Sequence, residues 1–199
     1  MDDQLIFSEP EGATPLDPDE IEGLLLSHIQ TKAELNRWEQ DNINQAYTWL
    51  ERRRNKKDVI SEEFVFKLHE KMFDKVWRWA GNTRLSDRNI GVDYPRIRIE
   101  LAQLLGDVQY WVANETYPPD EIAARFHHKL VWIHIFPNGN GRHSRLAADT
   151  LLVDVLGQEP FSWGDGDLYK DGEIRQIYIA ALRAADQHDY DPLLAFVRS

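Results

Sequence analysis

The sequence predicts an all-α bundle carrying one small β-hairpin flap. Apolar residues recur three and four positions apart along nearly the whole chain, and helix-start signals punctuate that pattern. The periodicity fails over one internal stretch, residues 81–98. Asp17-Pro18-Asp19-Glu20 reads as a start: Asp17 caps, Pro18 suits the first position and Glu20 completes a capping box. Ile21, Leu24, Leu25 and His28 then share a face, giving a helix over about 17–28. Thr31 and Glu34 form a second box ahead of Leu35, Trp38, Tyr47, Trp49 and Leu50, in a helix ending near Arg54. Ser61 caps a third, with Phe64, Leu68 and Phe73.

The aperiodic stretch contains Asn89-Ile90-Gly91-Val92-Asp93 and Tyr94-Pro95-Arg96, which read as a short hairpin or flap. Helical spacing returns with Ile97, Leu101, Leu104, Leu105, Val108 and Trp111 and stops before Pro118-Pro119. Residues 120–133 are helical again. After a loop at 134–141, a nearly all-apolar helix runs from about Arg142 to Leu156, with Gly157 at its end. That helix should be the buried centre. Residues 164–167 form a turn. Ile174, Ile177, Tyr178, Ala181, Leu182 and Ala185 mark a further helix, and Asp191-Pro192 starts the last.

Composition narrows the function classes. With 199 residues the chain is one domain by size, with a short appended arm. The absence of cysteine excludes disulfides, thiolate metal sites and cysteine nucleophiles. No apolar run approaches the roughly 18 residues of a membrane span, and Met1-Asp2-Asp3-Gln4 does not open a secretory signal. A soluble cytoplasmic protein is expected. Lys and Arg number 23 against 34 Asp and Glu, and the net charge of −11 argues against general affinity for nucleic acid. The basic run at 52–57 is better read as a solvated helix end than as a docking patch.

Residues 134–145, His-Ile-Phe-Pro-Asn-Gly-Asn-Gly-Arg-His-Ser-Arg, carry the chemistry. Gly139 and Gly141 let the backbone turn N–H groups inward. Arg142 begins a helix, so the nest sits at a positive helix end that suits phosphate. Arg142 and Arg145 are three apart and aim two guanidinium groups at one anion. His134, ending the preceding helix, is placed to act as general base.

This segment resembles the Fic motif, H-x-F-x-[D/E]-G-N-G-R-x-x-R. His134, Phe136, Gly139, Asn140, Gly141, Arg142 and Arg145 match it, and only Asn138 departs, at the acidic position. Trp79-Ala80-Gly81 followed by Arg84 is similar to the run that leads into the flap of Fic proteins. The helix pattern agrees from about Ser61 to Phe196. The Doc branch, which transfers phosphate, lacks the Gly-Asn-Gly core, so the resemblance falls on the Fic side. Within it, the bacterial subgroup called mobile mystery protein B is the best match. The implied division is an N-terminal helical arm, residues 1–60, and a Fic-like catalytic domain, residues 61–199.

The resemblance implies a protein adenylyltransferase that uses ATP and Mg²⁺ and moves AMP onto a Ser, Thr or Tyr hydroxyl of a target protein. His134 would take the hydroxyl proton and Phe136 would anchor the loop. Gly139, Asn140 and Gly141 would form the anion hole, with Arg142 and Arg145 on the phosphates. The flap, Asn89, Ile90, Gly91 and Val92, would pair with a target strand. Tyr178 is a candidate for the adenine pocket, although its spacing favours core packing. The family's carboxylate at position 138 holds Mg²⁺, and the amide of Asn138 brings no charge to that hard cation. A working enzyme of weak metal affinity, a different nucleotide donor and a nucleotide binder without turnover remain as readings, the first preferred. Pro18-Asp19-Glu20-Ile21-Glu22-Gly23 resembles the family's inhibitory motif [S/T]-x-x-x-E-[G/N] except at Pro18. Glu22 would then pair with Arg145; an ordinary acidic first turn explains the same residues equally well.

His127, His128, His134 and His143 lack metal-ligand spacing, so packing and surface roles are expected. Asp149, four after Arg145, reads as its partner, and Trp77, Trp79, Tyr110 and Trp111 read as core. The alternative to an enzyme is a catalytically weak nucleotide-binding module of a toxin–antitoxin type pair, with an antitoxin chain as partner.

Overall fold

The computed structural model describes residues 16–166, Leu168 and residues 172–199. Residues 1–15 of the expected arm, and Asp167 of the expected turn, lie outside the described residues. The fold is all-helical. Its elements are α1 (Pro18–Ile21), α2 (Lys32–Arg52), α3 (Glu62–Phe73), α4 (Ile97–Ala113), α5 (Pro119–Ile133), α6 (Asn140–Leu151), α7 (Glu173–Asp186) and α8 (Asp191–Val197). No helix among the described residues is long and apolar enough to cross a membrane.

Local signals set the boundaries. Thr31 Oγ1 accepts the Glu34 N–H at 3.2 Å while the Glu34 carboxylate accepts the Thr31 N–H at 3.0 Å, closing the capping box of α2. Ser61 Oγ accepts the Phe64 N–H at 3.1 Å and starts α3. Beyond α6 the chain widens into a π-helical turn, Leu152–Leu156, and stops at Gly157, whose φ is +65°.

The buried stripe of α2 is Leu35, Glu39, Asn42, Ile43, Ala46 and Leu50. It lies on α3, which buries Phe64, Val65, Leu68, His69, Met72 and Phe73. Asn42 ties the two: its amide donates to the Lys71 carbonyl at 3.0 Å and accepts the Lys75 N–H at 2.8 Å, occupying groups left over at the end of α3. Helix α6 packs on α3 and α5, and α4 packs on α5. A smaller cluster, with Tyr178, Leu193 and Phe196, joins α7 and α8 to Ala123, Ala124 and Leu152. The expected central helix is therefore α6.

Two sequence expectations are corrected. The helix expected over 17–28 is a single turn, although its capping box forms. The chain leaves it because Arg78 N–H donates to the Gly23 carbonyl and Leu25 N–H to the Val76 carbonyl, at 2.8 and 2.9 Å. Gly23 is required there, since a Cβ would lie 2.6 Å from the Trp79 ring. The hairpin expected at 89–96 is a series of bends followed by a 3-10 turn, Tyr94–Arg96. Its backbone groups are taken by a side chain and by the end of α5 instead of by a second strand. Among the described residues, β pairing is confined to one isolated bridge, Leu24 with Trp77. Tyr110 also departs from expectation, standing 62% exposed.

The basic run at 52–57 is not uniformly solvated. Arg53 lies against Asp154 and Asp58, both at 3.1 Å, with its guanidinium over the Phe64 ring.

Buried, neutral histidines pervade the core. Burial holds His69 well below the usual imidazole range, and lowers His127 to about 3 and His143 to about 4; His134 is also lowered to about 4. Each folded value lies below the unfolded one, so its stabilisation is present above pH about 6.5 and is lost as pH falls. Asp149 opposes this trend, because burial raises its carboxyl to about 6. Four histidines outweigh one carboxyl. The unfolding free energy, measured in denaturant at stepped pH, is expected to fall steeply from pH 6.5 toward 4, at up to about 1.4 kcal/mol per histidine per pH unit. A flat profile over that interval would contradict the burial of these rings as neutral species.

Candidate active site

The site is built on the join between α5 and α6. His134 caps α5 in the left-handed region, with φ 55° and ψ 63°, and is 6% exposed. Burial, then the charges of Arg84 and Arg88, hold its imidazole at about pKa 4. At neutral pH it is uncharged and able to accept a proton.

Phe136 is fully buried and stacks on His69, ring centroids 3.6 Å apart. His69 accepts the Gly81 N–H on Nδ1 at 2.9 Å and so donates from Nε2 to the Asn138 carbonyl at 3.0 Å. Asn140 closes the loop. Its amide accepts the Phe136 N–H at 3.0 Å and donates to the Phe136 carbonyl at 2.8 Å. The Asn140 side chain therefore braces the loop, leaving its backbone N–H as the group available to an anion.

Gly139, with φ +79°, is the N-cap of α6, and the first backbone bond of the helix runs from His143 N–H to the Gly139 carbonyl. The N–H groups ahead of that bond point out of a helix N-terminus, the arrangement that suits phosphate. His134, residues 138–142 and Arg145 line one cleft with Glu39 and Asn36 of α2. The cleft is also lined by Leu168, Tyr178, Ile179 and Leu182, with Arg175 beside them. Tyr178 is 6% exposed, and its hydroxyl meets His127 Nε2 at 3.0 Å, so it is both core residue and cleft wall.

Arg142 donates from Nη1 to Glu39 Oε2 at 2.6 Å and lies over the Phe73 ring. Glu39 also accepts the Trp77 indole N–H at 2.6 Å, and its side chain is 7% exposed. Arg145 lies over the Tyr178 ring, 5.8 Å from its centroid. Asp149 makes no direct ion pair with Arg145, whose charge still acts to lower its pKa. Its oxygens accept the Phe161 N–H at 3.1 Å and the Trp163 indole N–H at 3.0 Å, fixing the 161–163 segment.

Glu22 is not brought to Arg145. It is exposed, and no hydrogen bond or ion pair among the described residues joins the two. The acid that the first turn directs inward is Glu20, which is partly buried and pairs with Arg88. In the flap, Asn89, Ile90 and Gly91 are exposed, with Ile90 at the cleft lining. Val92 is turned in: its N–H reaches toward the Ile133 carbonyl at 3.4 Å and its carbonyl accepts from Arg84.

The donor set does not fit a resident magnesium ion. The Asn138 amide oxygen accepts the Gly139 N–H at 2.6 Å and lies 3.4 Å from Arg142 Nη2. Glu39, the acid in the described cleft wall, is committed to Arg142 and Trp77. Among the described residues, no group of three His, Cys, Asp or Glu side chains is arranged for a metal, and His128 and His143 bond Asp186 and the Val65 carbonyl at 2.8 and 2.9 Å.

Sequence reasoning missed Glu39 and His69 and gave Arg84 no role. Glu39 was findable: a lone acid on the apolar stripe between Leu35 and Ile43 demands a buried cation. His69 carries no such signal, because histidine on an apolar face is ordinary.

A neutral buried histidine beside a helix-end anion nest is an arrangement that suits a phosphate-bearing ligand. Residues 59–152 match the model of the Fic/DOC family, and the chain belongs to that family. It is similar to the "Protein adenylyltransferase Fic" of Aedes aegypti, 29% identical over 147 residues, which cover 72% of this chain and 28% of that protein. The chain thus spans little more than a quarter of the relative it matches. Among solved structures it is similar to Fic-1 (residues 134–508) of C. elegans, with a TM-score of 0.61 and 26% identity, over 89% of this chain and 55% of that one. The N-terminal Fic domain of a VirB-translocated Bep effector of Bartonella quintana, solved with bound ADP, shares the fold at a TM-score of 0.65 and 18% identity, over 86% of each chain.

The two motif glycines should respond differently to substitution. A Cβ at Gly139 would lie 2.7 Å from the Phe73 ring on left-handed backbone, whereas at Gly141 it meets nothing closer than Arg145 Nη1 at 3.8 Å. Gly139→Ala is expected to cost about 1–2 kcal/mol for the backbone and about 1–3 kcal/mol for the clash, and Gly141→Ala to leave stability nearly unchanged. Thermal unfolding of both variants checks this, and equal losses would contradict the loop geometry.

Proposed function

We propose that the chain is a protein adenylyltransferase, a nucleotidyltransferase that takes ATP and moves AMP onto a Ser, Thr or Tyr hydroxyl of a target protein. The observation that carries this reading is the union, in one cleft, of an uncharged buried imidazole at His134 with the α6 N-terminal nest and two arginines. The activity named for the Aedes aegypti relative and the ADP in the Bartonella quintana domain support it.

The target oxygen attacks the α-phosphorus while His134 accepts the hydroxyl proton. The bond from that phosphorus to its bridging oxygen breaks, and pyrophosphate leaves. Backbone N–H groups at Gly139, Asn140 and Gly141 face the negative phosphate oxygens, where fixed dipoles need no reorganisation. Arg142 and Arg145 neutralise the polyphosphate, Arg142 being held at one edge by Glu39. The lining side chains of Tyr178 and Ile179 suit a nucleobase. Asn89, Ile90 and Gly91 offer the outward edge for a target strand, without Val92. Magnesium would come with the nucleotide's own phosphates, since the protein offers it no free carboxylate among the described cleft residues. Inhibition through Glu22 finds no support in the geometry and is left out of this reading.

One observation favours the weaker alternative. Asn138 lacks charge and Glu39 occupies part of Arg142, a combination that a nucleotide-binding module paired with an antitoxin would tolerate. Such a module binds ATP and labels nothing.

His134→Ala is expected to lower AMP transfer by about 10²–10⁴-fold, the worth of a general base, with ATP affinity nearly unchanged. Transfer to the target or to the protein itself, beside calorimetric ATP binding, measures both. Residual transfer within a few-fold of the parent would remove His134 as the base. Asn138→Asp is expected to tighten Mg²⁺ in the presence of a non-hydrolysable ATP analogue, by adding charge beside a hard cation. An unchanged metal titration would show that position 138 does not meet the ion.

A further inference from the structure

Arg84 is the least explained charge near the site. Its side chain is fully buried, and the nearest carboxylate, Asp87, stands 3.9 Å away and is itself 64% exposed. A lone buried cation costs several kcal/mol unless its donors are used. Here they are. Nε donates to the His134 carbonyl at 2.7 Å, Nη1 to the Ser86 carbonyl at 2.7 Å and Nη2 to the Val92 carbonyl. Its backbone N–H donates to the Ile135 carbonyl at 3.0 Å. One guanidinium therefore binds both ends of the 86–92 loop and the backbone of the histidine beside it. The contact is tight on the other side as well: a Cβ on Gly91 would lie 2.6 Å from His134 Cβ and 3.0 Å from Arg84 Nη2.

The neighbouring Arg88 is a different case, because Asp17 at 2.6 Å and Glu20 balance its charge. Arg84 is held mainly by backbone dipoles, with exposed Asp87 at 3.9 Å and weaker influence from Asp93 and Glu20.

We propose that Arg84 is a positioning residue for the reaction: it holds His134 in its left-handed conformation, couples the flap rigidly to that histidine and keeps a positive charge beside it. A target strand laid on Asn89, Ile90 and Gly91 then meets a surface already in register with the base. Desolvation is the largest cause of His134's lowered proton affinity; Arg84 is the next and Arg88 adds to it, while the Val131 backbone acts in the opposite direction. Losing the Arg84 charge should therefore raise the midpoint.

The inference rests on the adenylyltransferase reading only for its kinetic arm, so the test has two arms. In the first, the His134 ring resonance, assigned by its loss in His134→Ala, is followed by NMR against pH in the parent protein and in Arg84→Gln. The expected result is a midpoint moving up from about 4 toward 6.5. In the second, kcat for AMP transfer is expected to fall by about 10²-fold, the cost of a misplaced reacting group, with KM for ATP unchanged. Arg84→Lys keeps the charge and loses the fork, so its midpoint should stay low while kcat still falls. If Arg84→Gln does not fold, the lysine variant carries the test alone. An unmoved His134 midpoint in folded Arg84→Gln, or an undiminished kcat in either variant, overturns the proposal. A shifted midpoint in a protein that transfers no AMP would sink the adenylyltransferase reading and leave the clamp standing.

Discussion

The site depends on the pair of hydrogen bonds between the Asn140 amide and the backbone of Phe136. Each is worth about 1 kcal/mol net, but their effect is geometric. A side-chain amide presents a donor and an acceptor in one plane, so it pairs with a residue's backbone as a neighbouring strand would. That pairing draws residues 136 to 140 into a closed turn, with Phe136 driven into the core against His69 and Gly139 forced into left-handed backbone against Phe73. Once closed, the loop can only deliver the N-terminus of α6 to the same side as His134.

Around that turn, charge is distributed by burial. The chain is acidic overall, yet the cleft wall gathers Arg142 and Arg145 with Glu39 as a carboxylate partner among its described residues. Arg84 and Arg88 stand behind His134 and reinforce the desolvation that keeps it neutral. A neutral ring beside a positive nest leaves the polyphosphate to the arginines and keeps the imidazole able to accept a proton. The distribution also explains the histidine-rich core. His69, His127 and His143 serve as hydrogen-bonding spacers for a carbonyl at Asn138, a hydroxyl at Tyr178 and a carbonyl at Val65.

The helices were legible in the sequence because their signals are local. Thr31 with Glu34, Ser61 and Gly157 act over three or four residues, and the apolar spacing of α4 through α6 needs no tertiary information. The motif was legible for the same reason, being twelve consecutive residues. What could not be read depends on contacts between distant segments. Whether residues 17–28 continue as a helix is decided by backbone pairing with residues 76–78, and no local feature of Leu24 or Leu25 announces it. The flap looked like a hairpin because Asn89-Ile90-Gly91 has turn chemistry. A strand needs a partner, and Arg84, eight residues before Val92, had already taken the carbonyl that would have made one. Asp149 was assigned to Arg145 by helical spacing, but Trp163, fourteen residues on, reached it instead.

The central claim is that the cleft presents the α-phosphorus of ATP to a protein hydroxyl. Parallel incubations with α-³²P- and γ-³²P-labelled ATP, in the presence of cell lysate, test it most directly. Label entering protein from the α-position alone, with pyrophosphate released in equal amount, is the predicted result. Label entering from the γ-position would identify a phosphotransferase and contradict the account.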